Sequence, residues 1–94
     1  MMNNYTNETK INNCILFFCN AGCFPCEILE KELVNIDYPI YKINIDTFLD
    51  VAKSYDVTSI PSLLFIKDNK KVYTINGVRS NKDINKVLTH FNMI

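Results

Sequence analysis

The sequence has no tryptophan, only two glycines and three prolines, and a single histidine, His90. So few chain breakers exclude a linker or a low-complexity tail. With 48% hydrophobic and 21% charged residues, the composition is that of a folded globule. An excess of charge is missing too, because ten basic and ten acidic residues cancel. No positive field is left to gather nucleic acid, and no acidic excess to gather cations. The longest apolar run, Cys14 to Cys19, is far too short to cross a bilayer, and the polar start MMNNYTNETKINN lacks the apolar stretch of an export signal. A cytoplasmic, soluble monomer is expected, with neither nucleic acid nor membrane as partner.

What the chain does have is cysteine. There are four, and three of them fall in CNAGCFPC, residues 19–26. In a reducing compartment such a cluster reads as catalytic or metal-binding rather than as a structural disulfide framework.

The pattern around the cluster predicts a small α/β domain over residues 14–94, preceded by an N-terminal segment, 1–13, ordered in part. CILFFC (14–19) is a continuous apolar run, the mark of a strand covered on both faces. Pro25 stands where a first helical turn tolerates it, and Ile28, Leu29, Leu33 and Ile36 recur at helical spacing, predicting a helix from about Phe24 to Asn35. IYKINID (40–46) reads as a strand, and Thr47 is placed to cap a short helix through Tyr55. SLLFIK and KVYTIN flank Asp68-Asn69-Lys70 and read as an antiparallel hairpin, closed by Gly77. Ser80-Asn81-Lys82-Asp83 resembles a capping box ahead of a last helix carrying Ile84, Val87, Leu88 and Phe91.

Cys23-Phe24-Pro25-Cys26 therefore sits at a strand-to-helix junction. The free N–H groups of a helix start stabilise a thiolate, and the thiolate is the species that attacks a disulfide. Cys26, one turn further in, is shielded and holds its proton longer. Two cysteines of unequal acidity at this spacing can form a mixed disulfide and then resolve it internally, while Pro25 stiffens the bridge between them. Three alternatives stay open on spacing alone. Half a zinc site has the same Cys-x-x-Cys, Cys19, Cys23 and Cys26 together match a cluster-binding iron–sulfur spacing, and Cys19 or Cys14 could trap the disulfide in a redox relay or sensor.

ILFFCNAGCFPC, YKINID and VTSIPSLLFIKDNKKVYTINGV together resemble the thioredoxin family over about residues 14–91. The resemblance implies a thioredoxin fold, with a central four-stranded mixed sheet, extended at most by a short N-terminal element, and flanked by helices. It implies a protein-disulfide oxidoreductase that needs no bound cofactor beyond its redox-active disulfide. Its partners would be disulfide-containing proteins and an electron-donating reductase. By the same resemblance Cys23 is the attacking thiol and Cys26 the resolving thiol. Ile60-Pro61 matches the dipeptide whose cis proline faces the disulfide, and the backbone of that loop would pair with an extended substrate segment.

The chain also departs from the family. Gly22 stands where tryptophan is usual, and Phe24 where glycine is usual, so that Phe24 is read either as an apolar docking surface moved into the motif or as a ring packed against the neighbouring loop. Phe17 occupies the place of a buried aspartate that assists the resolving thiol. Lys42 matches the lysine beside that acid, and it is read either as a partly buried amine favouring a thiolate or as a side chain reaching into water.

Overall fold

The computed structural model of the protein describes residues 2–94. Eight elements follow in order: β1 (Met2–Asn4), β2 (Cys14–Cys19), α1 (Phe24–Leu33), β3 (Ile40–Asn44), α2 (Leu49–Ser54), β4 (Ser62–Lys67), β5 (Lys70–Asn76) and α3 (Asn81–His90). The strands form one mixed sheet in the order β1-β3-β2-β4-β5. β2 runs parallel to β3 and antiparallel to β4, so it lies at the centre.

That position explains its composition. All six residues of β2 are buried, because both faces of the sheet are covered. Side chains alternate along a strand, and here they sort cleanly into two clusters. Ile15, Phe17 and Cys19 pack with Cys26, Leu29 and Leu33 of α1 and Ile84 and Leu88 of α3. Cys14, Leu16 and Phe18 pack with Ala52 of α2 on the other face. The cysteine motif and the two longer helices thus share one side of the sheet.

The sheet has five strands where the central four were expected, and the fifth is the short N-terminal element. Met2, Asn3 and Asn4 pair in parallel with Ile40, Tyr41 and Lys42, and the Tyr5 N–H extends the ladder to the Lys42 carbonyl at 2.9 Å. Tyr5 then anchors the segment edge-on against Phe48, with ring centroids 4.9 Å apart. An edge strand held by backbone bonds needs no apolar alternation, so Met-Asn-Asn carries no strand signature.

Two helix boundaries also differ. Thr47 does not cap α2; Phe48 holds the cap position, with no side-chain bond. Asn44 is the reason, since its Oδ1 accepts from the Asp46 and Thr47 N–H groups at 2.8 and 3.3 Å, closing a turn that ends β3 and takes up Thr47. α1 stops at Leu33, two residues short of Asn35, although Ile36 stays in the core at 1% exposure. The hairpin and the last helix form as expected. Asp68 and Asn69, both at positive φ, make a two-residue turn suited to the twist of the strands. Ser80 Oγ accepts the Asp83 N–H at 3.2 Å, and Glu32 of α1 accepts the Asn81 N–H at 2.7 Å, tying the starts and flanks of the two helices together.

Candidate active site

The chain leaves β2 through Asn20, Ala21 and Gly22 and enters α1 at Cys23. Gly22 sits at φ +75°, with open space where a side chain would project. The constraint is therefore the backbone and not room. A bulky residue such as tryptophan in this left-handed conformation would carry a strain of about 1–2 kcal/mol, a physical correlate of the glycine found here.

Cys23 is the N-cap of α1, and its Sγ accepts the Cys26 N–H at 3.3 Å. The sulfur does what a serine or aspartate oxygen does at other helix starts, so a thiolate at this atom would meet an aimed donor and the positive end of the helix. Phe24 and Pro25 fill the first two helical positions, where the missing N–H of Pro25 leaves no helical bond unmade. Cys23 and Cys26 are joined as a disulfide, with Cα atoms 5.2 Å apart. They are unequally accessible: Cys23 is half-buried, whereas Cys26 is 4% exposed. Phe24 projects outward at 68% exposure, with Ile28 one turn further along α1 also exposed.

Ile60-Pro61 is cis. Ser62 pairs with Phe18, so Pro61 lies level with Cys19, at the end of the sheet from which the cysteine loop leaves. Ile60 packs against the cluster that holds Cys23 and Cys26. The segment is tied down on both sides. Ser62, buried, donates through Oγ to the Ser59 carbonyl at 2.7 Å, and the Gly77 N–H donates to the Pro61 carbonyl at 2.9 Å.

Lys42 is a part-buried amine whose charge favours a thiolate at Cys19, and it has a partner that neither expectation named. It is the register neighbour of Phe17 and so emerges on the α1 side of the sheet, where its Nζ donates to Glu30 Oε1 at 2.8 Å. That bond holds the ammonium above its ordinary range, against a smaller effect of partial burial in the opposite direction. Lys42 and Glu30, with Cys19, Cys23, Cys26 and Glu27, line a cavity of about 170 Å³ beneath the disulfide. Glu30 escaped sequence reasoning because a charged residue on an amphipathic helix is assigned to solvent. The available signal was its place four residues after Cys26, on the same helix face.

The remaining cysteines separate. Cys19 is buried, with its Sγ 3.8 Å from the Ile43 carbonyl to which it donates, and burial pushes its thiol up, partly offset by Lys42. Cys14 lies on the opposite face, in the α2 cluster, and burial pushes it up to about 11. Among the described residues, no group of three or more His, Cys, Asp or Glu side chains is placed to hold a metal ion.

The Cys14 value gives a pH dependence. The unfolded chain releases this proton near 9.0, while the folded state keeps it to about 11, so across that interval the unfolded state loses its proton first and stability falls as pH rises. Cys14→Ala should flatten the decline in melting temperature between these two values in a thermal scan.

No helix among the described residues is long and apolar enough to cross a membrane. The thioredoxin family model matches residues 2–90. A thioredoxin of Chlamydia pneumoniae is 34% identical over 76 residues, covering 76% of this chain and 74% of that protein. A thioredoxin of Alternaria alternata is 31% identical over 71 residues, covering 69% of this chain and 60% of its own length. The chain thus spans only about three fifths of that relative. Among solved structures, a mutant thioredoxin from Halobacterium salinarum superposes with a TM-score of 0.78 at 22% identity, over 85% of this chain and 75% of the other. The five-stranded α/β sheet with its three helices is the thioredoxin fold, and with a family match running almost from end to end, this chain belongs to the thioredoxin family.

Proposed function

We propose that the chain is a thiol–disulfide oxidoreductase that reduces protein disulfides through a Cys23–Cys26 dithiol/disulfide cycle. The observation that carries this reading is the Cys23 sulfur at the cap of α1, facing the Cys26 N–H at 3.3 Å. In the reduced protein the Cys23 thiolate attacks one sulfur of the substrate, forming a mixed disulfide and releasing the other sulfur as a thiolate. Cys26 then loses its proton and attacks Cys23, which closes the internal disulfide and expels the second substrate thiolate. Two electrons pass to the substrate, and an external dithiol, in the cell that of a reductase, returns them.

Recognition on this reading is backbone-led. The segment before β4, with cis-Pro61, offers an extended partner for the substrate chain, while exposed Phe24 and Ile28 supply an apolar contact beside the disulfide. The reducing cytoplasm is the compartment in which such a reductant works. Residues 14–94 act as one redox domain, which Met2–Asn4 widens by an edge strand.

Dithiothreitol reduces insulin disulfides slowly, and the protein should accelerate that reaction in proportion to its concentration. An unchanged rate would contradict the reading.

A further inference from the structure

The resolving thiol has a problem of access. Cys26 is 4% exposed, yet its proton must leave before its sulfur can attack Cys23. The cavity beneath the disulfide is lined by Cys26 and offers a way out. At about 170 Å³ it has room for several water molecules, each of which takes about 30 Å³ in the liquid.

The ionisable groups facing that cavity come from three elements. α1 and its N-cap contribute Cys23, Cys26, Glu27 and Glu30, β2 contributes Cys19, and β3 contributes Lys42. Cys19 keeps its own proton, since burial pushes its thiol up. Lys42 is an ammonium and has no lone pair to offer. The carboxylates remain. Glu27 lines the cavity too, but it follows Cys26 directly, about 100° around the helix from it, and it is the more exposed of the two. Glu30 is one turn below Cys26 on the same face, and Lys42 fixes its carboxylate at 2.8 Å.

We propose that Glu30, held in place by Lys42, is the group that accepts the proton of Cys26 during the resolving step. This rests on the oxidoreductase reading above. The Cys26 S–H gives its proton through the cavity to the Glu30 carboxylate, and the Cys26 thiolate attacks the Cys23 sulfur of the mixed disulfide. The Cys23–Cys26 bond forms as the bond from Cys23 to the substrate breaks, and the electron pair leaves on the substrate thiolate. Glu30 then returns its proton to solvent, ready for another cycle. Lys42 acts through Glu30 and is a positioning residue.

Stopped-flow reaction of the reduced protein with 5,5′-dithiobis(2-nitrobenzoate) separates the two steps without a protein substrate. Cys23 releases the first thionitrobenzoate in forming the mixed disulfide, and the attack of Cys26 releases the second. Glu30→Gln should leave the first phase in place and slow the second by roughly 10²-fold at neutral pH, the usual worth of a positioned general base. With hydroxide left as the base, the second phase of that variant should rise about tenfold per pH unit, more steeply than the wild-type phase. Lys42→Ala, which breaks the same ion pair but keeps the carboxylate, should slow the second phase only several-fold and keep the wild-type profile.

An unchanged second phase in Glu30→Gln overturns the proposal. So does a Lys42→Ala profile as steep as that of Glu30→Gln, since the ion pair rather than the carboxylate would then be responsible. Absence of the first phase in the wild-type protein would instead overturn the oxidoreductase reading, and the proposal with it.

Discussion

Replacing Cys23 by serine is expected to reduce insulin-disulfide turnover to the rate of dithiothreitol alone. A serine hydroxyl at the α1 cap would still accept the Cys26 N–H, so the fold and the helix start should survive. What disappears is an ionisable sulfur at the more accessible of the two positions. Cys26 cannot take over the attack, because at 4% exposure it does not meet a protein substrate. Cys19 is worse placed, buried in the strand with its thiol pushed up. A melting temperature close to that of the reduced wild-type protein, with activity gone, would separate chemistry from stability. Substantial turnover in Cys23→Ser would place the attacking sulfur elsewhere.

Phe17→Ala should be the most destabilising single truncation near the site. Phe17 has no exposed surface and lies at the middle of the central strand, between Lys42 of β3 and Leu63 of β4 in register, under α1. Removing a buried phenylalanine ring typically costs about 3–5 kcal/mol in lost burial and residual cavity. In a domain of this size 1 kcal/mol moves the melting temperature by roughly 4–8 °C, so a fall of more than about 10 °C is expected by calorimetry. A shift of only a degree or two would mean that the sheet closes over the gap. Leu49→Ala, at a half-exposed helix start, should change little, because truncation there opens no cavity.

The contrast between these positions shows what could be read without coordinates. β2 was legible because a strand buried on both faces must be apolar throughout, and CILFFC is. Cys23 and Cys26 were legible because helix-start chemistry follows from Pro25 and from the apolar spacing after it. The cis bond at Pro61 was reached only through the family resemblance, since an isolated proline at a strand start carries no isomer signal. β1 was hidden for a different reason: its pairing is made by backbone groups, and its side chains are mostly solvent-exposed. Thr47 looked like a cap, but Asn44, three residues earlier, accepts the Thr47 N–H and draws that residue into the turn that ends β3.

The site itself was half legible for a related reason. Sequence periodicity sorts residues into a core face and a solvent face, and it has no class for a charged residue at the boundary. Glu30 and Lys42 are such residues, each 37–40% exposed in its side chain. Exposed ion pairs of this kind contribute only about 0–1 kcal/mol to stability, so the pair is better understood by where it lies, on the wall of the cavity beneath the disulfide, than by what it adds to the fold. Lys42 alone offered two readings. Only with Glu30 in view does its amine have a partner.

The central claim is that Cys23 meets the substrate and Cys26 resolves it. It is tested most directly by mixing the reduced Cys26→Ser protein with oxidised insulin and mapping the covalent adduct by mass spectrometry. With the resolving thiol gone, the expected product is a stable mixed disulfide between Cys23 and an insulin cysteine, with Cys14 and Cys19 still free. An adduct at Cys19, or no adduct in a folded protein, would contradict it.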